Sequence, residues 1–220
     1  MPAIRCLYDG KFKLAEGPVW CDRSQSLWWV NMVEPSAIYR LPWGSSVPEI
    51  FAAPLPVTGL ALTEDDQVIA GSIDCLLRLD PSTGRYDPVL RLYGDRPGNR
   101  CNELGVDPMG RLWVGTMTNN LAGSAVEADA GSLFQIGGDA KVIRRISEIG
   151  IPNTLAWSSD GAFLFTADSM TGIVRRITLD HSGVVQAADA LHGPVDCGVP
   201  DGSAMSEEGV LWNARWSGGC

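Results

Sequence analysis

Glu16, Thr58, Asn102, Asn153 and Asp201 are separated by up to 185 residues, yet each opens a short apolar run. Each run then passes through a tight polar turn into a second apolar run. All five side chains carry oxygen. Such groups can ligate a hard cation, move a proton or hold a hydroxyl. Surface turns are rich in Asn and Asp for conformational reasons alone. An ordinary turn residue, however, has no reason to recur at the mouth of an apolar strand, so the functional reading is preferred.

The element that carries these residues is clearest in the fourth copy. There Asn153 precedes Leu155-Ala156-Trp157, Ser158-Ser159-Asp160-Gly161 makes a turn, and Phe163-Leu164-Phe165 returns. That pattern reads as a β-hairpin with an Asp-Gly turn. The steps between successive openers are 42, 44, 51 and 48 residues. A period of about 46 with strand content predicts propeller blades of four strands each. In a propeller the first strand of every blade lines the central channel, so the five openers would share one rim. Further strands are expected at 37–41, 49–52, 75–80, 86–90, 173–177 and 184–186. A strand is also expected from Ile4 to Leu14, as the outer strand of a blade that the other terminus completes. The loop 91–102 delivers Arg100 to the rim, and an insertion, Thr118 to Gly131, sits near the same mouth. Helical periodicity is weak throughout.

Net charge is −9, which argues against binding to a nucleic-acid backbone, since phosphate needs a basic surface. No apolar run approaches the roughly 18 residues of a membrane span. The start, Met1 to Cys6, lacks the apolar core of a signal peptide. Six cysteines without CxxC spacing then predict reduced thiols and a cytoplasmic setting.

Other chemistry-bearing residues have plainer readings. Cys101 alternates in a strand with no histidine near it in sequence, so it reads as packing rather than as a nucleophile. Asp107, Asp160 and Glu208 belong to hairpin turns. Trp28, Trp113, Trp157 and Trp212 recur in strand cores and are expected to pack between blades. Asp168 either makes a structural hydrogen bond or supports the site from behind. His181 and His192 are expected in surface loops, and no Gly-x-Ser-x-Gly elbow points to a serine hydrolase.

Four groups of motifs together resemble the SMP-30/gluconolactonase/regucalcin-like family. They are Glu16-Gly17-Pro18-Val19-Trp20 with Leu27-Trp28-Trp29-Val30; Arg100-Cys101-Asn102-Glu103 with Asp107 to Met117; Ile151 to Ser158; and Pro200-Asp201-Gly202-Ser203 with Gly209 to Ala214. They span nearly the whole chain in the family order.

The resemblance implies an all-β, six-bladed β-propeller in a single domain, 1–220, with one divalent cation on the channel axis. Glu16, Asn153 and Asp201 match the family's metal ligands. Two carboxylates and an amide oxygen suit Ca²⁺ above all, with Mg²⁺, Mn²⁺ or Zn²⁺ as alternatives. Arg100 and Asn102 match substrate contacts. A third such contact falls at Asn120, where some members carry an acid, and this departure bears on which sugar is accepted. The implied activity is hydrolysis of a sugar lactone, with Asp201 as general base.

Six blades of about 46 residues would need roughly 276 residues, and this chain has 220. The last blade or blades are therefore expected to be incomplete. That keeps a second class open: a non-catalytic metal- or sugar-binding propeller, or an inactive truncated lactonase. Strictosidine-synthase-like or paraoxonase-like activity fits the Asn102-Glu103 and Pro200-Asp201-Gly202 contexts less well.

Overall fold

Alternating apolar residues, cut by turns that need a left-handed residue, leave little choice but antiparallel hairpins. The computed structural model describes residues 5–92, 96–121 and 123–219. Among them are eighteen strands in five antiparallel sheets and no helix. The first blade is β1 (Ala15–Cys21), β2 (Ser26–Asn31), β3 (Ala37–Pro42) and β4 (Glu49–Ala52). The second is β5 (Gly59–Leu62), β6 (Val68–Gly71), β7 (Leu76–Asp80) and β8 (Arg85–Leu90). β9 (Asn99–Val106), β10 (Leu112–Thr118), β11 (Gly131–Ile136) and β12 (Val142–Ile149) make the third. β13 (Pro152–Trp157), β14 (Phe163–Asp168), β15 (Ile173–Leu179) and β16 (Val185–His192) make the fourth. β17 (Val199–Met205) and β18 (Leu211–Trp216) pair alone.

The propeller is thus four complete blades and a two-stranded fifth sheet, not the ring of six that the resemblance implies. At about 46 residues per blade the chain fills no more than this.

Strand pairing follows chain order in every blade, and the turns show why. In the third, fourth and fifth sheets the first turn closes through Gly110 N–H to Asp107 O at 2.9 Å, Gly161 N–H to Ser158 O at 2.9 Å and Gly209 N–H to Ser206 O at 3.0 Å. All three glycines have φ between 70° and 80°, a region that costs glycine nothing.

The apolar faces are buried between blades. Trp28, Val30 and Ile38 meet Leu60, Val68 and Leu79 between the first and second. Leu76 meets Cys101, Leu104 and Val114 between the second and third. Trp113 and Leu133 meet Leu155 and Leu164 between the third and fourth. Trp157 joins this last cluster at its edge, its ring centroid 6.4 Å from that of Trp113. Trp212 does not follow the expectation. It is 69% exposed, because no blade lies beyond the two-stranded sheet among the described residues.

Three further expectations change. Ile4 lies outside the described residues, and 5–14 form no strand. Aromatic packing holds this segment instead of a ladder, with the Phe12 ring edge-on to Trp29 and Tyr39 at 5.9 and 5.0 Å. His192 ends β16 rather than lying in a loop, although it is exposed. Cys6, Cys21 and Cys75 are free, as expected, but Cys197 is disulfide-bonded. Sequence spacing carries no information on which sulfurs meet in space. Among the described residues no helix is long and apolar enough to cross a membrane.

Candidate active site

The first strands pack side by side in the order β1, β5, β9, β13, β17, and so form one wall. Glu16, Asn102, Asn153 and Asp201 lie on four of them. Each of these strands carries a β-bulge at its site residue. In β1 the register slips between Glu16 and Val19; in β13 it slips between Asn153 and Ala156. In β9, Asn102 and Glu103 together face Gly115, and in β17 Asp201 and Gly202 together face Ala214. A bulge breaks the strict alternation of side chains and re-aims them. β5 pairs without a slip, and Thr58 stands just ahead of it, buried, its hydroxyl without a partner among the described residues.

The amides are locked into one chain of hydrogen bonds. Arg100, only 3% exposed, donates from Nε and Nη2 to Asn120 Oδ1 at 3.1 and 2.9 Å. Its Nη1 donates to Asn102 Oδ1 at 2.8 Å. Asn102 Nδ2 in turn donates to Asn153 Oδ1 at 3.0 Å and to the Pro152 carbonyl at 3.0 Å. Asn153 Nδ2 donates to Ser169 Oγ at 2.8 Å, and Ser169 Oγ donates in turn to the Pro200 carbonyl at 2.6 Å. The insertion, the third blade, the fourth blade and the fifth sheet are thereby tied together. Two donors on Asn120 and one on Asn102 fix which amide atom points where, so Asn153 presents its oxygen toward β9.

Asp201 is held through its backbone. Thr154 Oγ1 donates to the Asp201 carbonyl at 2.6 Å and lies 2.9 Å from Ser203 Oγ. Asn213 Nδ2 adds bonds to the Asp201 carbonyl at 3.1 Å and to Ser203 Oγ at 2.9 Å. Thr154 makes these contacts from φ 60°, a conformation that strains a β-branched residue. Asp168 is structural. It accepts from Ile151 and Met170 N–H at 3.0 Å each and from Gly150 N–H at 3.2 Å, fixing the approach to Asn153. Sequence reasoning missed Ser169, Thr154 and Asn213, whose types are ordinary for loops and strands. It also missed Glu103, next to Asn102, because in a regular strand neighbours face opposite ways.

The electrostatics are acidic. Burial, then Asp201, pushes Glu16 up to about 7, against a downward pull from Arg100. Burial, then Asp201 and Glu16, pushes Glu103 up to about 8. Asp201 is itself raised by burial, with the Gly202 N–H opposing. These shifts mean that the three carboxylates share one field. Among the described residues no three His, Cys, Asp or Glu side chains are gathered as a ready cation site, so an amide oxygen has to complete any such set. The donor chemistry fits a hard divalent ion, since like charges held together call for a positive one.

A pH dependence follows. In metal-free protein the folded pKa values of about 7 and 8 lie above the ordinary 4.5. The folded state then binds more protons than the unfolded chain between those limits. The associated stability is present in full below pH 4.5 and is lost as pH rises through 7 to 8. In chelator, the melting temperature should therefore fall between pH 5.5 and 8.5, and a saturating divalent cation should flatten that slope. Equal slopes with and without cation would count against it.

A cleft of about 530 Å³, lined by Arg23, Trp28, Asp65 and Asp80, lies instead at the turn end of the first two blades.

Residues 14–220 match the family described as SMP-30/gluconolactonase/LRE-like region. The chain belongs to that family. It is 31% identical to a pentonolactonase from Haloferax volcanii and 29% identical to a putative sugar lactone lactonase from Rhizobium meliloti, in each case over 96% of this chain and 70% of the relative. In three dimensions it resembles a regucalcin from Agrobacterium tumefaciens, described as a calcium-binding protein. That match has a TM-score of 0.88 at 32% identity and covers 97% of this chain and 71% of the other.

Proposed function

We propose that this member of the SMP-30/gluconolactonase family opens sugar lactones by hydrolysis and depends on a divalent cation. The observation that supports the reading is that Glu16, Asn153 and Asp201 stand on the wall of first strands from three different sheets, with Asn153 hydrogen-bonded to the cluster of Arg100, Asn102 and Asn120. Relatives named as lactonases support the substrate class, and the calcium-binding regucalcin supports Ca²⁺ over Mg²⁺, Mn²⁺ and Zn²⁺.

Glu16, Asn153 and Asp201 would hold the ion, which when bound polarises a carbonyl and favours charge on its oxygen. Arg100, Asn102 and Asn120 offer guanidinium and amide groups to an uncharged, hydroxyl-rich ring. Their mutual bonds keep them preorganised and are exchanged for sugar hydroxyls. Asp201 takes a proton from the water that attacks the carbonyl carbon. It returns that proton to the ring oxygen as the carbon–oxygen bond breaks, leaving the open hydroxy acid.

The test is hydrolysis of gluconolactone and pentonolactones by metal-stripped protein, with each cation added back singly and spontaneous opening subtracted. Turnover is expected to return with Ca²⁺. Folded protein that binds cation but opens no lactone would favour the non-catalytic binding reading instead.

A further inference from the structure

One residue at the site holds a conformation that its type disfavours. Thr154 follows Asn153 inside the bulge of β13 and has φ 60°. Only glycine takes up that region freely, and a branched Cβ is poorly suited to it. Thr154 is also completely buried, so no contact with solvent explains its type. Residues held in this way persist only where their surroundings over-determine them, and they cluster where function needs a fixed geometry.

The Thr154 hydroxyl is what its surroundings hold. Its Oγ1 donates to the Asp201 carbonyl at 2.6 Å and lies 2.9 Å from Ser203 Oγ. Asn213 Nδ2 bridges the same three oxygens, at 3.2 Å from Thr154 Oγ1, 3.1 Å from the Asp201 carbonyl and 2.9 Å from Ser203 Oγ. The bulge in β17 takes Asp201 and Gly202 out of the strand register, and there two side chains meet the Asp201 carbonyl. A carbonyl fixed from β13 and from β18 fixes the plane of its peptide. With it goes the direction in which the Asp201 side chain leaves the strand. Asn153, the preceding residue, is bonded to Asn102 and Ser169. One bulge in β13 thus places its own amide and secures the aspartate of the neighbouring sheet.

We propose that Thr154 is a positioning residue for Asp201: its hydroxyl, reaching from β13 to the bulge of β17, holds the Asp201 carboxylate where the reaction and the cation need it. Being buried, Thr154 acts through Asp201 and not on the substrate. This inference rests on the metal-dependent lactone-opening reading given above. It separates two quantities that a packing role would keep together, because function follows the hydroxyl while the backbone strain weighs on stability. Glycine removes both the hydroxyl and the strain. Valine removes the hydroxyl and keeps the branched Cβ, and serine keeps the hydroxyl without the branch.

The test compares the natural chain with T154S, T154V and T154G in three measurements. These are thermal melting, calorimetric titration of metal-stripped protein with CaCl₂, and gluconolactone hydrolysis at saturating Ca²⁺. Expected in T154V and T154G are a fall in kcat of about tenfold or more, with KM little changed, and a comparable loss of Ca²⁺ affinity. KM is spared because Arg100, Asn102 and Asn120 keep their bonds. T154S should retain both kcat and affinity. T154G should melt above T154V, because glycine accepts φ 60°, and yet be no more active. Activity that follows melting temperature across the four proteins overturns the proposal. So do natural kcat and affinity in T154V or T154G, or a T154S as impaired as T154V. If the natural chain binds Ca²⁺ but opens no lactone, the catalytic reading fails, and the Ca²⁺ affinities alone decide on Thr154. A natural chain that does neither removes both.

Discussion

Asp201→Asn abolishes lactone opening while leaving the fold intact. The expected loss in kcat/KM is about a thousandfold, within the range for removal of a general base. The fold should survive because the strand is anchored at the Asp201 carbonyl, by Thr154 and Asn213, and not at its carboxylate. The amide also removes one negative charge from the field of Glu16 and Glu103, both of which Asp201 pushes upward. Metal-free D201N should therefore melt higher than the natural protein at pH 8 and bind cation more weakly. Rates measured at saturating cation separate the two effects. If activity is restored there, Asp201 is a ligand only, and the base lies elsewhere. If it stays lost, the proton-transfer role stands.

The repeat was legible because hairpins write themselves twice, in alternating apolar residues and in a turn that calls for glycine. Gly110, Gly161 and Gly209 recur in phase for that reason, and so do the openers. The resemblance supplied Glu16, Asn153 and Asp201 as a set, and the order of strand packing explains why residues so far apart can share a wall. The bulges were not legible. Each adds one residue to one strand, and no residue type announces it; Gly17 at φ 56° is an exception, while Thr154 at φ 60° runs against type. Without the bulge in β9, Glu103 reads as facing away from Asn102, so the third carboxylate of the channel stayed hidden. Long-range pairings were equally silent. Ser169 and Asn213 join the site through hydrogen bonds to backbone carbonyls of β17, and a serine or an asparagine offers such bonds almost anywhere. Trp212 failed for another reason: its burial depends on a neighbouring blade, which a local pattern cannot guarantee.

The largest loss of stability is expected from Asp107→Ala, at the far end of the strand that carries Asn102. Asp107 was readable as a turn former, and its Oδ1 does accept from Met109 and Arg111 N–H at 3.0 and 2.9 Å. The structure gives it more to do. Its Oδ2 accepts from Arg111 Nε at 2.7 Å and from Trp113 Nε1 at 2.9 Å. Trp113 is fully buried between the third and fourth blades, so alanine would leave its indole N–H without a partner. The Asp107 side chain is 1% exposed and that of Arg111 17%; breaking such a pair leaves a charge stranded, at a cost of about 3–5 kcal/mol. Asp107→Asn is little better, because its amide would turn a donor toward either the turn or the indole. Asp160 is the internal control. It closes the equivalent turn in the fourth blade, bonded to Ser158 Oγ and Ala162 N–H at 2.7 and 3.0 Å, but on an exposed surface. Asp160→Ala should cost much less, because its bonds are made at the solvent surface. Urea unfolding of both variants measures the difference. Equal losses would mean that the turn, and not the buried contact with Trp113, is what the aspartate secures.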